Sequence, residues 1–229
     1  MVKESPARKA LRIGHRGACG HAPENTLASI ERAIALGCAL TEVDIRRTAD
    51  GALVLLHDER VDRTTNGQGL IAEMTLEDIR KLDAGGGQTI QTLEEALATA
   101  GGRIGLILEL KAEGLAYDIC AIVRASGFTG PVIYASFLHE ELQHVRRADP
   151  DSKTLVLFRR LPKDPAAEAV RLQATHVGLR FDTATPPLVK ALHKARLPVF
   201  VYTVNKPADI RRMRSLGVDG LISNYPDRL

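Results

Sequence analysis

Cysteine is scarce: three residues in 229, at Cys19, Cys38 and Cys120. The number is odd, no C-x-x-C pair occurs, and the spacings are wide, so neither a disulfide framework nor a redox motif is written here. Free thiols of this kind fit a reducing setting, and a cytoplasmic protein is the expectation. Charge of one sign is also missing. A net charge of +3 supplies no field strong enough to argue for nucleic acid or an anionic membrane as the partner. The four Arg-Arg pairs that begin at Arg46, Arg146, Arg159 and Arg211 are scattered, and they read as solvated surface. No apolar run approaches the ~18 residues of a membrane span, so no stable membrane insertion is expected. The opening "MVKESPARKALRIGH" carries charge but no apolar core, which argues against a secretory leader. Repeats, low-complexity tracts and flexible linkers are absent too.

What is present is a chain with 45% hydrophobic and 26% charged residues, enough for one core, and a single domain over residues 1–229 is the simplest division. Short β-branched runs alternate with helix-period segments, the pattern of parallel βα units. Strands are expected near 11–15, 40–46, 104–111, 132–136, 154–158, 176–181, 199–204 and 217–223. Eight parallel strands in a chain of this length favour an α/β fold of the closed (β/α)8 TIM-barrel type, with an open doubly wound sheet as the rival. After the last strand only "NYPDRL" remains, so the final helix should be truncated to a turn. That leaves one side of the helix layer thin, a face that a second copy of the chain could cover as a homodimer.

One segment breaks the alternation. "TADG" and a short apolar run, "ALVLLHD", follow the second strand, and then a mostly polar stretch of about 58–91 is read as a small insertion over the barrel mouth. Asp50-Gly51 between two apolar runs predicts a two-residue type I′ hairpin. In that register Asp44 faces His57.

Alternation along the second strand turns Glu42, Asp44 and Arg46 inward and Val43 and Ile45 toward the helices. Two carboxylates on one face repel unless a cation lies between them. In "GLILELK", Glu109 and Lys111 share a face at a strand end, so His15, Glu42, Asp44, Glu109 and Lys111 should point into one mouth. Three carboxylates without a thiolate or imidazole cluster select a hard ion, one Mg2+ or Ca2+, over zinc. His15, Cys19 and His21 lack a fourth ligand for a zinc site.

"HRGACGHAPENT", "EVDIRRTADGALVLLHDERVDRTTNGQG", "LILELK", "YTVN" and "GVDGLISNYP" occur in the order of the glycerophosphodiester phosphodiesterase family, which the chain resembles over almost its whole length. The resemblance implies a metal-dependent barrel that hydrolyses small glycerophosphodiesters to glycerol 3-phosphate and an alcohol. It implies His15 and His57 as acid and base, Glu42, Asp44 and Glu109 as metal ligands, and Arg16 and Lys111 as phosphate contacts. It also implies that "DRTTNGQG" belongs to the family's insertion over the mouth. Tyr202 stands where tryptophan is common and is expected near the leaving group. Asn224 stands where aspartate is common, and Gln91 where proline is common. None of these three falls on an acid, base or metal position.

Two other readings compete. A non-catalytic phosphoester-binding barrel would have lost a histidine or a carboxylate, and all five are present. A phospholipase-D-like activity on lysophospholipids would call for an apolar rim. "ERVDRTTNGQGLIAEMT" is mostly polar, which favours deacylated substrates.

Overall fold

A computed structural model describes residues 10–229. Eight parallel strands close into a barrel: β1 (Leu11–Gly14), β2 (Leu40–Arg47), β4 (Gly105–Leu110), β5 (Val132–Ser136), β6 (Lys153–Leu157), β7 (His176–Arg180), β8 (Val199–Tyr202) and β9 (Gly220–Ser223). Closure comes from β1, which pairs with both β9 and β2. The expected (β/α)8 barrel is therefore the one found, rather than the open sheet. A short antiparallel strand, β3 (Leu53–Leu55), adds to the edge of β2 above the ring.

The helices follow from local chemistry. Leucine, isoleucine and alanine recur at helical spacing in α1 (Leu27–Ala35), α3 (Leu93–Ala100), α4 (Ala116–Ala125) and α5 (His139–Ala148). Thr26 and Thr92 cap α1 and α3, each in a reciprocal box with the residue three positions on. Proline opens α6 (Pro165–Arg171), α7 (Pro186–Lys194) and α8 (Pro207–Ser215), where its missing N–H costs nothing. After β9 comes a single turn, Pro226–Arg228. Leu229 is buried there, and Arg12 donates to its carbonyl at 2.6 Å.

Alternation along the strands produces two apolar layers. Ile13, Leu40, Ile107, Ile133, Leu155, Leu157, Phe200 and Ile222 fill the barrel. Val43, Ile45, Leu108 and Leu110 point the other way, into the layer between sheet and helices. A third, smaller core lies in residues 54–90, where Val54, Leu56, Val61, Ile71, Ile79 and Ile90 pack together. Its only helices are a single turn at Ile71–Glu73 and α2 (Leu76–Ile79), too short for a periodic signal in the sequence. No helix among the described residues is long and apolar enough to cross a membrane.

The hairpin register differs from expectation by one residue. Ile45 pairs with Leu55 and Arg46 with Val54, and the Leu56 amide donates to the Asp44 carbonyl at 3.0 Å. Asp44 thus faces Leu56, not His57. The cause is the turn: Thr48 bonds Gly51 and Ala52, Gly51 alone is left-handed at φ +91°, and the loop holds three residues, Ala49 to Gly51. This is the type I turn with a glycine bulge. Asp50 is free to use its carboxylate instead, accepting from the Thr48 hydroxyl at 2.6 Å and the Leu76 amide at 3.1 Å. The tertiary bond to Leu76 outweighs the local Asp-Gly preference.

At the rim beyond β1 the backbone leaves no room for a side chain on Gly17. Its φ is +82°, and a Cβ would lie 2.1 Å from the Ser29 hydroxyl. Ser29 is fully buried at the head of α1. Gly17→Ala should cost about 2–4 kcal/mol from the clash and the left-handed backbone together. The check is a lower denaturant midpoint with an unchanged slope; an equal midpoint would mean that this loop can move aside.

Candidate active site

Strand register brings the acidic residues together. Asp44 pairs across the ladder with Glu109, and Glu42 lies one inward step below Asp44 on β2. Carboxylate oxygens of Glu42, Asp44 and Glu109 all lie within 4.8 Å of one another. Glu42 and Asp44 are 4% and 1% exposed. Burial and the neighbouring carboxylates Asp44 and Glu109 push the Glu42 carboxyl well above the usual range. Burial and Asp44 raise Glu109 to about 7 against the pull of Lys111. Oε1 of Glu42 is buried without a hydrogen-bond partner among the described residues. An orphaned acceptor between crowded carboxylates is what a dication would answer, and an all-oxygen donor set suits Mg2+ or Ca2+. The three residues could hold such an ion.

Two cations already lean on this cluster. The Lys111 ammonium lies 2.6 Å from Glu109 and 3.4 Å from Asp44. Arg16, at φ +49°, donates its amide to Glu42 at 2.9 Å and sets its Nε 3.3 Å from Asp44 without hydrogen-bonding geometry. Arg46 also points inward from β2, and its Nε donates to the His57 carbonyl at 2.9 Å.

Each histidine is held by its Nδ1. His15, just past β1, meets the Asn224 amide oxygen at 2.7 Å, and its Nε2 lies 4.0 Å from Glu42. With an amide oxygen as partner, Nδ1 carries the proton and Nε2 keeps its lone pair toward the carboxylates. Burial, helped by Arg16, lowers the His15 imidazole to about 4, so it is neutral at pH 7. His57, just past β3, meets the Asp58 carboxylate at 2.5 Å. Burial lowers its imidazole also.

Asp58 belongs to a longer chain of charge-assisted bonds. Arg63 donates to Asp58 at 2.5 Å and to Glu24 at 2.7 and 2.9 Å, and Glu24 accepts from Arg16 at 2.8 Å. Hydrogen bonding to Arg63 draws the Asp58 carboxyl down to about 2. Burial alone would raise Glu24, but Arg63 and Arg16 hold it at about 2.

Two concavities flank the carboxylates. An enclosed one is walled by His15, Glu42, Glu109, Leu157 and Tyr202. An open groove of about 700 Å3 runs outward past His57, Lys111, Phe137 and Arg159 beneath residues 57–63. Of the eight candidates, His15, Glu42, Glu109 and Tyr202 line the first, while His57 and Lys111 line the second. Asp44 and Arg16 lie at the cluster itself through the contacts given above.

Four residues that complete this arrangement carried little signal. Asn25 is buried, left-handed at φ +57°, and grips Asp44 twice, donating to its carboxylate at 2.9 Å and accepting from its amide at 3.1 Å. Within "PENT" it reads as part of a helix start, yet asparagine is among the few side chains that tolerate this backbone. Asn224 reads as a departure from a common residue and turns out to touch His15. Asp58 and Glu24 look like ordinary surface carboxylates until the fold sets arginines beside them.

The model of the glycerophosphoryl diester phosphodiesterase family matches residues 15–228. A glycerophosphodiester phosphodiesterase of Caldanaerobacter subterraneus is 36% identical over 234 residues, covering 96% of each chain. One from Bacillus subtilis is 33% identical, covering 97% of this chain and 86% of that protein. Among solved structures, the glycerophosphodiester phosphodiesterase of Agrobacterium tumefaciens superposes with a TM-score of 0.86 at 31% identity, over 96% of this chain and 98% of that one. An Oleispira antarctica phosphodiesterase, solved in complex with its product sn-glycerol-3-phosphate, superposes with a TM-score of 0.88 at 29% identity, over 94% and 93%. On the extent of these matches, the chain belongs to the glycerophosphoryl diester phosphodiesterase family of phosphoric diester hydrolases.

Proposed function

We propose that this protein hydrolyses soluble glycerophosphodiesters to glycerol 3-phosphate and a free alcohol, with one divalent cation, Mg2+ or Ca2+, held by Glu42, Asp44 and Glu109. The observation that carries the reading is the clustered carboxylate trio, Glu42 and Asp44 buried and Glu109 half-buried, with its orphaned Glu42 oxygen, together with two imidazoles whose Nδ1 atoms are both engaged. When bound, the cation supplies Lewis-acid stabilisation of the charge that builds on the phosphoryl oxygens.

The rest falls to the chain's own side chains. Arg16 and Lys111 bring cationic donors to the phosphate, and a guanidinium can meet two of its oxygens at once. His15 and His57 divide the proton transfers: the one that acts as base takes the proton of the attacking hydroxyl on its free Nε2, and the one that acts as acid enters as the imidazolium and delivers its Nε2 proton to the departing alkoxide. Anchoring Nδ1 on Asn224 or Asp58 aims each Nε2 at the reacting oxygens. Tyr202 walls the enclosed side, next to His15 and Glu109. The rim supports a deacylated substrate, because the apolar "LIAEM" stretch spends Ile71 on the small core beneath it. The product held by the Oleispira antarctica relative supports glycerol 3-phosphate as the common product.

Release of glycerol 3-phosphate from glycerophosphocholine, glycerophosphoethanolamine and glycerophosphoinositol, with Mg2+ or Ca2+ present, is the expected result of a coupled dehydrogenase assay. A lysophospholipid should be a poor substrate. Release of the alcohol's phosphate ester without glycerol 3-phosphate would refute the assignment.

A further inference from the structure

Two cations of the open groove lack a carboxylate at hydrogen-bond distance among the described residues. Arg46 comes from the barrel interior, is 9% exposed, and makes one hydrogen bond, through Nε to the His57 carbonyl. Its terminal nitrogens have no hydrogen-bond partner among the described residues, and the nearest carboxylate, Glu59, stands 4.0 Å off and is itself 77% exposed. Arg159 has no ion pair or hydrogen bond among the described residues, and its guanidinium carbon lies 5.5 Å from the Phe137 ring centroid. The other cations of the groove are matched: Arg60 with Asp62, Arg63 with Asp58 and Glu24, and Lys111 with Glu109. The terminal nitrogens of Arg46 face the groove, where they offer an anion a planar fork of donors.

We infer that Arg46 and Arg159 form a subsite for a second anionic group on the substrate, so that the preferred diesters are those whose departing alcohol carries a phosphate or a carboxylate. The inference rests on the hydrolase reading above and names its substrate class. Glycerol bears no charge, so the anion that answers these cations belongs to the other end of the diester. With the arginines as its partners that end extends into the groove beyond His57, so Tyr202, on the enclosed side, does not neighbour the leaving group as the sequence leads one to expect. A quaternary ammonium finds no welcome there. It needs an open aromatic face, and the groove's aromatic ring, Phe137, already has Arg159 at 5.5 Å and the Lys111 ammonium at 6.0 Å.

The test compares kcat/KM on glycerophosphoinositol 4-phosphate, glycerophosphoserine and glycerophosphocholine. It uses the wild-type protein and the Arg46→Gln and Arg159→Ala variants. The wild type should favour at least one of the two anion-bearing diesters over the choline diester by tenfold or more, and which one tells phosphate from carboxylate. Each variant should shrink that ratio about tenfold, the factor corresponding to about 1.4 kcal/mol. A wild-type ratio near one, or an unchanged ratio in both variants, overturns the inference. So does an equal loss on all three substrates, which would assign the arginines to the shared phosphate. Arg159 is exposed and its replacement leaves the barrel interior untouched, so that variant decides the matter if Arg46→Gln fails to fold. Turnover of the choline diester without preference sinks this inference alone, whereas no turnover of any diester sinks the hydrolase reading with it.

Discussion

Alanine at His15 or at His57 should lower kcat by roughly 10²- to 10⁴-fold, the contribution of one positioned acid or base, while the protein still folds. His15 lies 4.0 Å from Glu42, His57 lines the groove together with Lys111, and each has its Nδ1 tied down. The energy of those contacts goes into orientation, so losing the imidazole removes the proton acceptor or donor and leaves the barrel strands intact. Neither side chain belongs to any of the three apolar cores. The measurement is single-turnover and steady-state kinetics beside a thermal melt. A well-folded variant that turns over at the wild-type rate would remove that histidine from the mechanism. The two losses should also fall short of adding in the double variant, because two groups that serve one transition state act as a unit.

Chelation should abolish turnover, and Mg2+ or Ca2+ should restore it. Without the ion, three carboxylates crowd together, two of them buried, against two close cations among the described residues, Arg16 and Lys111. A dication at that place binds the folded state and not the unfolded one. At a hundredfold excess over its dissociation constant it would add about 2.7 kcal/mol of stability, or roughly 5–10 °C in melting temperature for a chain of this size. Glu42→Gln should lose that metal-induced rise. Its metal-free form should melt no lower than metal-free wild type, since the change removes a buried charge that burial and two like charges already disfavour. Full activity after exhaustive chelation, or an undiminished thermal shift in Glu42→Gln, would contradict the ligand assignment.

Period-two patterning in "EVDIRR" and "GLILELK" made the barrel readable, because in a sheet buried on both sides an inward carboxylate stands out among aliphatic neighbours. The same patterning put Glu42, Asp44 and Glu109 on one side of adjacent strands, and the register of β2 with β4 brings them together. The hairpin departs from its predicted register because a local dipeptide preference competes with a tertiary bond, here Asp50 to the Leu76 amide, that only the folded chain supplies. The small core of residues 54–90 was invisible for another reason: its apolar residues follow no period, since they come from loops and single turns. Asn25, Asp58 and Glu24 were hidden because the meaning of a polar side chain lies in its partner, and the partners are 19, 5 and 39 residues away for Asp44, Arg63 and Arg63 respectively.

The run of bonds from His57 through Asp58, Arg63 and Glu24 to Arg16 fastens two stretches of chain that are far apart in sequence. Those stretches therefore have to be exchanged as a matched set. Grafting residues 58–63 from a relative without the stretch around Glu24 would leave one arginine or one carboxylate stranded, and the damage would surface at Arg16, which shares Glu24 with Arg63. Exchanging both together keeps the lock with its key.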